Sequence, residues 1–129
     1  MSDPTDSRRF WTLDEANAAL PRVARLVEEA RQAMAAARER AKAVTAVARR
    51  NGHAPRGSEV RDFQQVLGEL AADGIVLRDP DRGLIDFPAI APSGRAYWLC
   101  WLAGEPEVGW WHWPEDGFPG RTPLSEPPP

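Results

Sequence analysis

The chain has 129 residues, 43% of them apolar and 27% charged, with a net charge of −3. That is an ordinary globular mix and enough chain for one buried core, which excludes wholesale disorder, and no apolar run approaches the roughly 18 residues of a membrane span. The single cysteine, Cys100, excludes an internal disulfide and a cysteine-rich zinc site.

Residues 1–9 are polar, contain Pro4 and are expected to form a mobile arm. With no apolar stretch after Arg8 and Arg9, no signal peptide is expected, and the expected location is cytoplasmic. Thr12 and Glu15 then have capping-box spacing, in which each side chain satisfies the other residue's amide, so a helix is predicted to start at Thr12. Trp11 stands where a hydrophobic staple would. Pro21 lacks an N–H and crowds the preceding turn, so a break near Leu20-Pro21 is favoured over a kink.

From Leu20 to Ala48 the apolar residues Leu20, Val23, Val27, Ala30, Met34, Ala37, Ala41, Val44 and Ala48 alternate steps of three and four. This repeat predicts a long helix with a narrow, alanine-rich seam, about 45 Å in length. Asn51-Gly52 and Pro55 end it. The same segment is basic: residues 22–50 hold seven Arg and one Lys against three Glu, a net +5, whereas residues 51–129 hold six Arg against twelve acids, a net −6. A basic face compensated within the same chain argues against nucleic-acid binding. Ser58 caps a second helix with Val60, Phe63, Val66, Leu67 and Leu70 on one face, ended by Gly74. His53, in the connecting loop, is expected to face solvent. A short connection predicts antiparallel packing. The first helix then overhangs the second by roughly 20 Å, around residues 21–34. The sheet, the N-terminal segment or a second copy must cover that overhang, and a dimer through the long helix is expected.

After Gly74 the pattern changes to short strands. Ile75–Arg78 and Leu84–Pro88 flank Asp79-Pro80-Asp81-Arg82-Gly83, which reads as a hairpin turn closed by a left-handed glycine. A calcium loop is rejected there, because glycine falls one place early and Ile90 stands where the bidentate acid belongs. Strands over 95–101 and 107–113 complete a four-stranded meander. The tail from Pro114 is too stiff and polar to fold alone.

Cys100 and His112 raise the question of a nucleophile–base pair. With Cys100 opposite Val108 or Glu107, His112 would lie about 13 Å or more away, so the dyad is rejected, and Cys100 reads as strand packing. His112 precedes Glu115, Asp116 and Arg121. Glu105 and Glu107 lie at the other end of the hairpin, and Asp86 sits in an otherwise apolar strand. One imidazole with several carboxylates suits a divalent Fe, Mn or Zn ion, and an arginine suits an anion. The plainer reading is a hydrogen-bonded structural histidine and a loop held by an Arg–carboxylate pair. Five of the six tryptophans fall within residues 98–113. Val108, Trp110 and His112 should point one way, Trp111 and Trp113 the other. One set needs a cover, either Phe118 and Leu124 from the tail or a partner. Phosphate loops, nucleophile elbows and Cys-x-x-Cys pairs are absent.

Phe10-Trp11-Thr12-Leu13-Asp14-Glu15-Ala16-Asn17-Ala18-Ala19-Leu20-Pro21 resembles the opening of a bacterial family designated domain of unknown function 2203. Gly83-Leu84-Ile85-Asp86-Phe87-Pro88, Leu99-Cys100-Trp101, Gly104-Glu105-Pro106-Glu107, Trp111-His112 and Gly117-Phe118-Pro119-Gly120-Arg121 agree with it. The resemblance covers roughly residues 10–124, with Leu102 where a basic residue is expected. It implies no activity, but it places Asp86, Glu105, Glu107, His112 and Arg121 within the family's motifs.

The expected fold is therefore one α+β domain over 10–124, a long antiparallel helical hairpin with a four-stranded antiparallel β-meander, followed by a Pro-rich tail over 125–129. The leading expectation is a small non-catalytic binding or assembly module that self-associates and binds neither nucleic acid nor membrane. The alternative is a metal-binding protein or small metalloenzyme. His112, Asp86, Glu107, Glu115 and Asp116 would be its metal ligands, with Arg121 and Glu105 holding an anionic ligand.

Overall fold

The structure is a computed structural model that describes residues 9–51 and 59–129. The expected arm (apart from Arg9), His53 and the Ser58 cap lie outside the described residues. Helix α1 spans Leu13–Asn51 and α2 spans Glu59–Ala72. Strands β1 (Val76–Asp79), β2 (Leu84–Ile90), β3 (Ala96–Leu102), β4 (Trp110–His112) and β5 (Thr122–Pro123) form one antiparallel sheet in chain order. The α+β class stands, with a fifth strand added to the expected four. No helix among the described residues is long and apolar enough to cross a membrane.

The capping box forms as read. The Thr12 N–H donates to Glu15 Oε1 at 3.0 Å, and the Glu15 N–H donates to Thr12 Oγ1 at 3.1 Å. Trp11, just before it, ties three elements together. Its N–H donates to the Pro88 carbonyl at 2.7 Å, its indole Nε1 donates to the Asp73 carbonyl at 2.9 Å, and its ring stands edge-on to Phe87 at 5.2 Å.

The break favoured at Pro21 does not occur: α1 runs through it. A proline inside a helix costs about 3 kcal/mol. Here Ala16, Leu20 and Val23 are buried on both sides of it, and Asn17 Oδ1 accepts the Val108 N–H at 2.7 Å. Tertiary burial on both flanks outweighs the local defect.

The two helices run in opposite senses. Arg22 pairs with Asp73 at 3.0 Å, and farther along α1 Glu29 and Ala33 share a groove with Val66 and Glu69. The stretch 21–34 is therefore no bare overhang. Val23, Leu26, Val27, Ala30 and Ala33 are all buried, most of them in one core with Leu70, Ile85, Phe87, Leu99 and Trp101. The sheet and α2 supply the cover, which removes the physical motive for a second copy at this stretch.

β2 and β3 pair over seven residues, from Leu84↔Leu102 to Ile90↔Ala96. Ile85, Phe87, Ala89, Leu99 and Trp101 face the helices. Alternation puts Leu84, Asp86, Trp98 and Cys100 on the outer face. Val108 departs from the expected alternation: it packs in the inner core, because β4 begins only at Trp110. Trp111 and Trp113 do lie together, with ring centroids 5.0 Å apart. Phe118 covers the outer face, whereas Leu124 packs against the inner core. The final residues also dock: Trp111 Nε1 donates to the Glu126 carbonyl at 2.8 Å, the Ser93 N–H donates to the Pro129 carbonyl at 3.2 Å, and Pro128 is buried. A buried indole N–H needs an acceptor, and the tail supplies one. Ile90 is the one exposed large apolar side chain among the described residues; Trp98, Trp110 and Trp113 are half-buried, and Trp101 and Trp111 are buried.

The β1–β2 turn is a hairpin turn, as read. Asp79 Oδ1 accepts the Asp81 and Arg82 amides at 3.1 and 3.3 Å. Gly83 has φ 71°, and a Cβ there would lie 2.6 Å from the Ala103 Cβ and 3.2 Å from Val27 Cγ1. Two stability predictions follow, both read by denaturant unfolding. Thr12→Ala should cost about 1 kcal/mol, the usual loss for a helix N-cap. Gly83→Ala should cost about 2–4 kcal/mol, combining a left-handed backbone with an overpacked contact. A loss below 1 kcal/mol, on the order of an exposed substitution, would mean that β2 shifts freely away from α1.

Candidate functional site

Asp86 is the most unusual residue of the outer face. Its side chain is 2% exposed, a carboxylate in the middle of a strand. Burying a charge is expensive unless it is paired. Its Oδ2 accepts from Arg78 Nε at 2.9 Å and lies 3.0 Å from His112 Nε2. Its Oδ1 is buried and has no hydrogen-bond partner.

His112 is 3% exposed. Its Nδ1 lies 2.8 Å from the Trp113 carbonyl, which can only accept, so Nδ1 carries a proton. Nε2 faces a carboxylate oxygen, and both ring nitrogens are satisfied together by the imidazolium. Burial by itself would lower the His112 pKa, and the nearby Arg78 charge also lowers it. The hydrogen bonds to Asp86 and Trp113, with the Asp86 charge, outweigh both, and the pKa is raised.

Cys100 completes the cluster. It pairs with Asp86 across β2–β3 and with Trp110 across β3–β4, while His112 pairs with Trp98. Asp86, Cys100 and His112 therefore share one face, with ligand atoms all within 4.8 Å of one another. The separation of 13 Å or more expected from the sequence is overturned. That reading resumed pairing directly after Gly104. Instead, Glu105 folds back, accepting the Leu102 N–H on Oε1 at 2.8 Å and the Trp101 indole N–H on its carbonyl at 3.0 Å. Val108 turns inward, and pairing resumes at Trp110. The strand register slides, and His112 comes level with Trp98. The thiol is still no ready nucleophile: burial, with the Asp86 charge next, pushes its pKa up to about 12.

The other expected site residues lie elsewhere. Glu107 is exposed and lines a groove with Asn17, Pro21 and Trp101 on the helix side. Glu115 is exposed and pairs with Arg95, and Asp116 is exposed in the following turn. None of the three reaches His112 as a ligand set. Arg121 and Glu105 meet each other in a two-pronged ion pair at 3.2 and 2.6 Å. Arg121 also stacks on Trp110 and Phe118, at 4.5 and 4.6 Å to the ring centroids, and its Nη1 lies 3.9 Å from Cys100 Sγ. This pair pins the β3–β4 loop to the outer face.

The sequence singled out Asp86 and His112 as candidates but not Cys100 and Arg78 as their neighbours. Alternation from Asp86 through a symmetric hairpin would have placed Cys100 opposite it. The β1 bulge between Leu77 and Asp79, which sets where Arg78 falls, leaves no comparable signal. A cavity of about 240 Å³ opens beside the cluster, lined by Arg78, Leu84, Asp86, His112, Pro114, Gly117 and Phe118.

Fold and site define a small α+β protein with a buried carboxylate–thiol–imidazole centre, set on the sheet face away from its helices. The chain matches the uncharacterized conserved protein family DUF2203 over residues 9–124 and belongs to it. No curated protein and no solved structure matches the chain.

The raised His112 pKa links stability to pH. The unfolded value is near 6.5, and the folded value lies above it. The pair's contribution is therefore complete below pH ~6.5 and is lost as pH rises through the folded value. In metal-free protein, the urea midpoint should fall between about pH 6 and about pH 9 more steeply in wild type than in His112→Gln. Parallel profiles would show that folding leaves the His112 pKa unshifted, and a wild-type midpoint that rises with pH relative to His112→Gln would show that it is held neutral.

Proposed function

We propose that the protein is a small metal-binding module in which Asp86, Cys100 and His112 hold a divalent ion. The observation that carries this reading is the buried Asp86 Oδ1, which has no partner although a thiol and an imidazole converge on the same carboxylate. A buried acceptor left unpaired costs about 1–3 kcal/mol, and a cation would satisfy it. The donor set of one thiolate, one imidazole and one carboxylate suits zinc best among the divalent ions, with a fourth position left open. Zinc–ligand bonds of about 2.0–2.3 Å require the three atoms to draw in from their present spread by roughly 1 Å. The Nδ1–H bond to the Trp113 carbonyl is the support that a metal-binding histidine uses to fix its ring and tautomer.

Binding has a definite proton balance. The ion replaces the proton on His112 Nε2 and the proton on the Cys100 thiol, so affinity falls as pH falls. A reducing compartment would keep Cys100 available, in line with the expected cytoplasmic location. No reaction is assigned to the site, and the reading remains that of a binding module.

Metal analysis of protein purified without chelators should find about one zinc per chain, and Cys100→Ser and His112→Ala should each lose it. Cobalt substitution gives a second readout. Wild type should show thiolate-to-cobalt charge-transfer absorption, and Cys100→Ser should lose that band while keeping its fold. Metal-free wild type that also takes up no cobalt would end the reading.

A further inference from the structure

The cavity beside the cluster has a cationic wall that the protein does not use. Arg78 commits only its Nε, to Asp86 Oδ2. Among the described residues its two terminal nitrogens donate to no protein acceptor, although the guanidinium is held in place by that bond and by the Trp98 ring at 4.8 Å. A guanidinium fixed through Nε presents the paired Nη edge as a planar fork, the geometry that matches a carboxylate. The rest of the lining joins the apolar Leu84, Pro114 and Phe118 to Gly117 and to the buried Asp86 and His112, whose charges are already paired with each other and with Arg78 Nε.

We propose that this cavity binds a small monocarboxylate, its carboxylate on the terminal nitrogens of Arg78 and its short apolar body against Leu84, Pro114 and Phe118. The inference shares its centre with the metal reading but stands on Arg78 rather than on an ion. About 240 Å³ of space suits a short-chain or single-ring acid and is below the usual range for drug-sized ligands. Inorganic phosphate is the rival oxyanion. It is disfavoured because it offers nothing to the apolar walls and asks for more donors than the one free fork provides.

The test uses the full chain, both chelator-treated and zinc-treated. Acetate, butyrate, benzoate and phosphate are titrated by calorimetry and by NMR of the Arg78 side chain and the Trp98 indole. Butyrate or benzoate should bind saturably in both preparations, more tightly than acetate, and shift both resonances. Arg78→Met should weaken binding by roughly tenfold or more, and Arg78→Lys should recover only part of it. Leu84→Phe, which puts a larger side chain into the cavity while keeping Arg78, should also remove binding. Absence of saturable binding would overturn the proposal. So would binding untouched in a folded Arg78→Met protein, or phosphate binding as well as butyrate. Zinc uptake is scored separately. Butyrate binding without zinc uptake sinks the metal reading and leaves this one standing, and zinc uptake without butyrate binding does the reverse.

Discussion

Seven consecutive pairs between β2 and β3 organise the molecule, because they sort the chain into two chemically different faces. On one face Ile85, Phe87, Ala89, Leu99 and Trp101 meet α1 and α2. On the other, Asp86 is set opposite Cys100. Period-two alternation makes these outcomes inseparable: a one-residue slip would push Asp86 into the apolar core and Phe87 out of it. The buried face pins the register, and the register builds the site.

The outer face then manages a buried carboxylate. Removing one partner of a buried ion pair costs about 3–5 kcal/mol, since the remaining charge is stranded. Asp86 is held between Arg78 and His112, yet only through Oδ2. A purely structural pair would be expected to use both oxygens. Oδ1 is left without a hydrogen-bond partner on a carboxylate that a thiol and an imidazole both approach, and this separates the arrangement from an ordinary buried ion pair.

Arginine–aromatic stacking supplies the rest of the outer layer. Arg78 lies over Trp98, Arg121 over Trp110 and Phe118, and Arg82 over Phe118. Each guanidinium covers a ring face while keeping its edge for hydrogen bonds, so the sheet is covered without a second layer of helices. The abundance of arginine over lysine has a structural use here, since an ammonium cannot stack and fork at once.

Local chemistry was legible in the sequence alone. Thr12 and Glu15 declared the helix start, the three–four spacing declared the buried stripe from Leu20 to Ala30 but not its continuation, where Met34, Ala37 and Val44 are half-buried and Ala41 is exposed, and Asp79 with Gly83 declared the first hairpin turn. Each depends on residues within a few positions of one another, where sterics and hydrogen bonding act without the rest of the fold. Asp86 and His112 were legible as candidates because a charge within an apolar strand and an imidazole at a strand end are chemically conspicuous. What only the tertiary structure decided were quantities summed over distant contacts. The helix survived Pro21 because burial on both flanks exceeded a local penalty. The stretch 21–34 was covered because the sheet lies across it. Cys100 came within reach of His112 because Glu105 folded back and Val108 turned inward, delaying the pairing of β4. A strand's register follows from the loop that precedes it and from the face it buries, and neither is written in the strand's own residues.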